Sequence, residues 1–130
     1  MPIFKKEKTY SKQLDINALI QGVGGRLQQE KWKVQQRVEG SKGIVQAQKA
    51  GILRDMIAAD RALIITFESV PEGTKMTVGV GKLAQNLAVA AIETLFLSSI
   101  FLPLDISEVL WTDHVEKGVI LEIDGIVNSM

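Results

Sequence analysis

The pattern of apolar and polar positions changes several times along the chain, and each change predicts a new element. After Asp15, apolar residues recur every three or four positions, which is the spacing of one face of an α-helix. They are Ile16, Leu19, Ile20, Val23 and Leu27. Asp15 is of the type that caps helix N-termini, so a helix is predicted over residues 16–30. Glycines at 22, 24 and 25 weaken it and suggest close backbone packing or a kink.

A strict alternation follows in WKVQQRVE and predicts a half-buried strand. The turn GSKG at 40–43 returns the chain into a second strand, IVQAQKA. ALIITFESV and KMTVGVG, joined by the turn PEGT, form a second hairpin. Two hairpins with a polar face predict a four-stranded antiparallel sheet, with the polar positions of the first hairpin facing solvent or a partner subunit. The opening segment, 1–12, fits either an edge strand or a loose arm.

The connector between the hairpins, GILRDMIAAD, is unusually apolar. It reads as a short helical turn whose apolar residues are Ile52, Leu53, Met56 and Ile57. We favour a flap that covers the sheet edge. The alternative is an apolar lip over 51–58 that borders a ligand site or touches a membrane.

The segment LAVAAIETLFLSSIFLPL, residues 87–104, carries one charge, Glu93. Leu87, Phe96 and Ile100 point in different directions on a helical wheel. The helix predicted over 83–102 is therefore apolar all round, as buried or lipid-exposed helices are.

Length and charge argue against a membrane span here. At ~1.5 Å per residue, 18 residues reach about 27 Å, just short of a typical hydrocarbon core. Glu93 near the middle would be costly in lipid, and Pro103 ends the helix. We expect a buried or interface helix first and a membrane element second.

The C-terminal segment is compatible with either a strand or a helix. GVILEID has the β-branched content of a strand, but apolar residues continue at helical spacing over more than four turns, which favours an amphipathic helix. They are Val115, Val119, Ile120, Ile123, Ile126, Val127 and Met130. The elements predict one α+β domain over residues 1–130: an N-terminal helix, the four-stranded sheet, the apolar helix and the C-terminal helix, with the helices on one sheet face.

Charge and composition narrow the function. Lys+Arg and Asp+Glu are both 15, so the formal net charge is zero. No strongly basic face is indicated, and we expect no nucleic-acid partner. A chain near zero net charge self-associates easily. The absence of cysteine excludes disulfides and thiolate chemistry. The basic N-terminus lacks a following apolar run, which favours a cytoplasmic location unless 87–104 anchors the chain.

Candidate chemistry is sparse. His114, the one histidine, has Asp113 and Glu116 nearby in sequence, but neighbours on a helix point about 100° apart. Ser98 and Ser99 lie in the apolar helix without a nucleophile-elbow pattern. No second ligand cluster exists, so we predict neither a metal nor a cofactor.

GVGKLA is the best formal motif match. Gly79, Gly81 and Ala84 fit G-x-G-x-x-A, and Asp105 lies about 20 residues further on, as in dinucleotide-binding sites. That mechanism needs a parallel βαβ unit, whereas these strands pair as hairpins. We interpret the motif as a glycine-rich corner.

The sequence therefore favours a non-enzymatic binding or interaction module that self-associates or binds an apolar ligand or lipid. Its predicted site residues are Ile52, Leu53, Met56, Ile57, Glu93, Phe96 and Ile100. A peripheral or anchored membrane-associated domain is the alternative, and a small enzyme using His114 ranks third.

Overall fold

The chain forms an α+β domain built on one antiparallel sheet, as the sequence predicts. The computed structural model describes residues 5–48, 61–82 and 106–130. In chain order the elements are β1 (Lys5–Tyr10), α1 (Ile16–Gln29), β2 (Lys33–Glu39), β3 (Lys42–Gln48), β4 (Arg61–Val70), β5 (Gly73–Lys82) and α2 (Ile106–Asn128).

The sheet has five strands, in the order β1-β5-β4-β3-β2. All neighbours pair antiparallel. The prediction of four strands was wrong because β1 adds an edge strand beside β5, from Lys5 opposite Gly79 to Tyr10 opposite Thr74. Its sequence, KKEKTY, is polar at every position except Tyr10, so the sequence has no alternation of apolar and polar residues that would predict a strand. Backbone pairing with β5 is therefore one of the main interactions that hold β1 in the sheet.

Helix α1 begins where its cap was predicted. The Asp15 side chain accepts a hydrogen bond from the Ala18 backbone N–H at 3.2 Å, which satisfies one of the free donors of the first turn. The predicted apolar stripe is buried along its whole length. The helix ends at Gln29, and Lys31 adopts a left-handed conformation with φ of 72° before β2 starts.

Two glycines lie where α1 approaches the sheet, Gly24 in α1 and Gly43 in β3. A Cβ at Gly24 of α1 would overlap the Gln36 side chain of β2, and a Cβ at Gly43 of β3 would lie 2.5 Å from Ile20 Cγ1. The nearest atom to Gly24 is the end of the flexible, exposed Gln36 side chain, which can move aside, whereas Gly43 faces the buried Ile20 and Ile16. Gly43 is therefore the position where the close approach requires glycine. The close packing of α1 on the sheet thus depends on Gly43 of β3.

One sheet face, the inner face, packs against both α1 and α2. The prediction that all the helices lie on one face holds for these two and stays untested for the helix predicted over 83–102. Strand residues that point to this face share a single core with the apolar stripes of the two helices. From the strands they include Val45, Ala47, Leu63, Ile65, Phe67, Met76, Val78 and Val80. From α2 they are Val119, Ile123 and Val127, spaced four residues apart, whereas Met130 at the end of the predicted stripe is 45% exposed.

The described parts of the chain contain two helices rather than the three predicted. The apolar helix predicted over 83–102 and the lip over 51–58 lie outside the described residues. Neither α1 nor α2 is long and apolar enough to cross a membrane.

Candidate interaction surface at one end of the sheet

The sheet has two unlike ends. Both tight turns lie at one of them, where Glu39 pairs with Lys42 and Val70 pairs with Gly73. We call this the hairpin end. The opposite, distal end carries the attachments of the longer connections. The contrast matters because tight turns fix register, whereas long connections more often carry function.

At the distal end, three chain attachments lie side by side. Strand β3 ends at Gln48, β4 begins at Arg61, and β5 ends at Lys82. Arg61 of β4 pairs directly with Lys82 of β5. On its other side, β4 pairs with β3, where Leu63 lies opposite Ala47. Since neighbouring strands are ~4.8 Å apart, the three attachments span about 10 Å. The apolar connector and the apolar 83–102 segment are therefore tethered to adjacent strands at the same end.

The residues predicted for the site belong to these two tethered segments. Ile52, Leu53, Met56, Ile57, Glu93, Phe96 and Ile100 all lie outside the described residues. The structure thus places their points of attachment and leaves their own positions as a prediction.

Basic residues gather at the distal end. Arg61 and Lys82 form a cross-strand pair, and Lys33 starts β2 opposite Gln48. Lys31 immediately precedes this strand, and both Lys31 and Lys33 are exposed. Among the described residues at these strand ends and junctions the one acid is Glu30.

The hairpin end instead has a balanced charge pattern on the outer face, which is the sheet face opposite the helices. One cross-strand row reads Glu39, Lys42, Glu68 and Lys75 from β2 to β5. Lys75 Nζ also lies 3.9 Å from Glu7 Oε2 of β1. Opposite charges facing each other across strands are mildly stabilising, so this end neutralises itself.

The centre of the outer face is buried. Ile44, Gln46 and Ile64 are each 2% exposed, and Thr66 and Thr77 are nearly as buried. The registers place all five on the face away from the core described above. The prediction that the polar positions of the first hairpin face solvent or a partner is therefore wrong for Gln46. The two described helices, α1 and α2, pack against the inner face of the sheet and not against its outer face.

A second cluster, which sequence reasoning missed, joins β1 to α2. The Tyr10 hydroxyl donates to Asp124 Oδ1 at 2.6 Å, and Lys8 Nζ donates to the same oxygen at 2.8 Å. Lys8 Nζ also lies 5.1 Å from the centre of the Tyr10 ring. Tyr10 and Asp124 are 114 residues apart in sequence, so no local motif could have announced the contact.

We call the contact of Lys8 and Tyr10 with Asp124 the clamp, because it joins β1 to α2. The protonation states of Tyr10 and Asp124 fit a structural role for this contact better than acid–base catalysis. Partial burial raises the pKa of the Tyr10 hydroxyl, and the hydrogen bond and charge of Asp124 raise it further. Burial also acts to raise the pKa of Asp124, but hydrogen bonds from Lys8 and Tyr10 and the charge of Lys8 outweigh burial and lower it. Near neutral pH a protonated phenol therefore faces an ionised carboxylate. A phenol with so high a pKa is a poor proton donor.

A shallow groove of about 450 Å³ runs between α1 and α2. It is lined by Arg26, Leu121, Glu122, Gly125, Ile126 and Ser129. Leu121 is 71% exposed. Single exposed apolar side chains are ordinary on protein surfaces, so the groove by itself does not define a site.

The catalytic candidates gain no support. Asp113, His114 and Glu116 lie on α2, whose backbone is described there but whose side chains are not. Ser98 and Ser99 lie outside the described residues. No metal-binding group of three His, Cys, Asp or Glu side chains occurs within the part of the chain that the structure describes.

The first four residues of the glycine-rich motif, 79–82, are part of strand β5, so its two glycines lie within the sheet and not at the corner that we expected. Gly79 pairs with Ile64 and Gly81 pairs with Ala62 in the antiparallel ladder of β4 and β5. Strand β1 runs antiparallel to β5 on its other side. The parallel βαβ unit of a dinucleotide site is absent around β5, in agreement with rejecting that motif.

Comparison with known proteins adds no assignment: no family model, no curated protein and no solved structure matches this chain.

Proposed function

We propose that the chain is a non-enzymatic binding or interaction module whose contact surface lies at the distal end of the sheet. The surface is formed by apolar residues of the connector and of the 83–102 segment, with a second copy of the chain or an apolar ligand as its occupant. Its residues are Ile52, Leu53, Met56, Ile57, Glu93, Phe96 and Ile100.

One observation carries the proposal: Gln48, Arg61 and Lys82 end or begin adjacent strands at the same end of the sheet. Two apolar segments far apart in sequence are therefore tethered within about 10 Å of each other. A contact surface needs contiguous apolar area, and a common point of attachment supports contiguity.

Glu93 fits the proposal as the polar member of the surface. A carboxylate among apolar residues needs a partner or must stay protonated. Arg61 and Lys82, at the distal end, have the sign that such a partner requires. Apolar surfaces with a few placed polar groups are typical of binding sites.

The test measures binding of an environment-sensitive apolar dye and, by light scattering, the molar mass of the purified chain. We expect dye binding, self-association or both in the unchanged protein. Leu53→Asp and Phe96→Asp should each abolish them, because a charge replaces an apolar side chain in the proposed surface. Circular dichroism must show that each variant keeps the fold.

Leu121→Asp is the matched control, because it makes the same kind of change at an exposed position on α2. It should leave dye binding and mass unchanged. A monomer that binds no dye would contradict the proposal. So would a loss caused by Leu121→Asp alone, since the surface would then lie in the groove between α1 and α2.

A further inference from the structure

We propose that the open edge of strand β2 pairs with the same edge of a second copy of the chain. The two strands run antiparallel about a symmetry axis at Gln36 and join the two sheets into one. The contact is made by the strand KVQQRVE, residues 33–39. This surface includes neither the connector nor the 83–102 segment, so the inference goes beyond the proposed function.

The backbone groups available for pairing follow from the hydrogen bonds of the neighbouring strands. The Ser69 N–H donates to the Ser41 carbonyl at 2.9 Å, so odd-numbered residues of β3 direct their backbone groups to β4 and even-numbered ones to β2. The even-numbered residues of β3 lie opposite the odd-numbered residues of β2. The even-numbered residues of β2 therefore direct their N–H and C=O groups to the open side. They are Val34, Gln36 and Val38.

One antiparallel register aligns all three outward residues with those of the second copy. Gln36 lies opposite the partner's Gln36, and Val34 lies opposite the partner's Val38. Each aligned pair of outward residues exchanges two hydrogen bonds, so the contact forms about six N–H···O bonds. A shift by one residue would set outward backbone groups opposite inward ones and is therefore excluded.

The same register matches the side chains. Val34 and Val38 pack against the core and are half-buried, and they lie opposite each other across the contact. On the other sheet face, Lys33 lies opposite the partner's Glu39, and the symmetry forms this pair twice. Apolar pairs and opposite charges stabilise antiparallel strands, whereas like charges in direct opposition destabilise them.

Charge disfavours the neighbouring registers. A shift by two residues in one direction places Lys33 opposite the partner's Arg37. The same shift in the other direction places Arg37 opposite the partner's Arg37. Since both shifts bring like charges together, the charges of β2 select the register centred on Gln36.

The surroundings of the edge leave it accessible. Lys33, Gln36 and Glu39 are exposed. Glu39 Oε2 lies 3.7 Å from Arg37 Nη2, but the Glu39 side chain is 51% exposed and can accept a second cation. Gly24 of α1 lies over β2, and the exposed residues beyond it on this flank of the helix are uncharged, so two copies of α1 meet without repulsion. They are Asn17, Gln21 and Gln28.

The pairing closes on itself as a dimer. It uses the β2 edge of both copies, so the joined sheet has β1 at each outer edge. The sequence of β1, KKEKTY, is rich in lysine, and lysines on an edge oppose the addition of further strands. The inference is therefore a dimer and not a growing aggregate.

Sedimentation of the full chain over a range of concentrations measures the dimer. Gln36→Pro removes the central outward N–H and leaves the bonds to β3 intact, a place where strands tolerate proline. We expect it to weaken the dimer roughly 100-fold or more. Circular dichroism must show that the fold is kept. A chain that stays monomeric at every concentration would overturn the inference.

Thr9→Pro is the matched control at the other edge of the sheet. Val70 and Gly73 close a two-residue turn, so by the same alternation the Thr9 N–H faces the open side of β1. The substitution should change dimer affinity by less than about twofold, because β1 lies outside the contact. Equal losses in the two proline variants would contradict pairing through β2.

A charge exchange tests the register and does not depend on proline. Lys33→Glu and Glu39→Lys should each weaken the dimer about tenfold, because each places like charges opposite each other twice. The double variant restores opposite charges and should recover affinity to within about threefold of the unchanged chain. Losses that add in the double variant would overturn the register.

The same measurements separate this inference from the proposed function. Association through the apolar segments is lost in Leu53→Asp and Phe96→Asp, whereas association through β2 is lost in Gln36→Pro, which should leave dye binding unchanged. A dimer lost in the first two variants and kept in Gln36→Pro would overturn the inference and leave the interaction module standing. A dimer lost only in the β2 variants of a chain that binds no dye would do the reverse.

Discussion

The hairpin end and the distal end of the sheet place the same residue types in different surroundings. At the hairpin end, lysines face carboxylates across strands, and Lys8 and Tyr10 together hold Asp124. At the distal end, Lys31 and Lys33 are exposed. Charged side chains at the hairpin end therefore pair with one another within the fold, whereas Lys31 and Lys33 at the distal end are exposed.

The largest effect is expected from Gly73→Ala at the hairpin end. Gly73 has a φ of 142°, and a Cβ there would overlap the backbone carbonyl oxygen of Tyr10. Strand β1 would have to move away from β5, and we expect the free energy of unfolding to fall by about 2–3 kcal/mol. Urea denaturation measures this loss.

Gly25→Ala provides the opposite case. A Cβ at Gly25 in α1 meets nothing within 4 Å. Alanine should raise the free energy of unfolding by about 0.5–1 kcal/mol, because it lowers the entropy cost of forming the helix. Similar losses in both variants would show that the close contact at Gly73 is not what matters.

A smaller effect is expected from the clamp between β1 and α2. Tyr10→Phe removes the hydrogen bond to Asp124 and should cost about 1 kcal/mol at neutral pH. Asp124→Asn keeps the side-chain size but loses the charge that Lys8 and Tyr10 contact, and a similar loss is expected. If neither variant changes the urea midpoint, the clamp does not contribute to stability.

The clamp also predicts a pH dependence with two signs. The folded pKa of Asp124 is below its ordinary 3.8, so its contribution is present above that pH and is lost as pH falls through the folded value. The folded pKa of Tyr10 is above its ordinary 10.0, so its contribution is complete below pH 10 and is lost as pH rises beyond it. Tyr10 is the single tyrosine, so phenolate absorbance follows it directly. An ordinary titration midpoint in the folded protein would refute the second part.

The smallest effect is expected at the distal end. Lys31→Gln with Lys33→Gln should change the free energy of unfolding by no more than about 0.5 kcal/mol, as is usual for exposed positions. Urea denaturation of this double variant measures the change in the free energy of unfolding. A loss above 1 kcal/mol would mean that these lysines stabilise the fold, and the contrast between the two ends would then disappear.

Local patterns predicted the local parts of this fold. Asp15 and the stripe after it predicted α1, and alternation predicted both hairpins. Residues Val119, Ile123 and Val127 predicted α2 through their repeat. For residues 1–12 the sequence left an edge strand and a loose arm as alternatives, and the structure shows an edge strand over Lys5–Tyr10. The sequence KKEKTY could not decide between them, because the strand is held by pairing with a strand more than 60 residues away.

The candidate surface was predicted only in part. The apolar character of the connector and of 83–102 is visible in the sequence. Their common attachment depends on β3, β4 and β5 lying next to one another, and strand order is a non-local property that hairpin signals do not determine. The contact of Tyr10 with Asp124 depends on the same long-range order, because it needs β1 beside β5 and α2 above them.

The strand order has one more consequence, for association between sheets. The two edges are β1, with the sequence KKEKTY, and β2, with the sequence KVQQRVE. Free strand edges can add strands from other molecules and grow into aggregates, and lysines along an edge oppose this because each added copy would bring like charges together. The apolar strands β3 and β4 thus lie in the interior of the sheet. Among the strands that the structure describes, the two edge strands are the more polar ones.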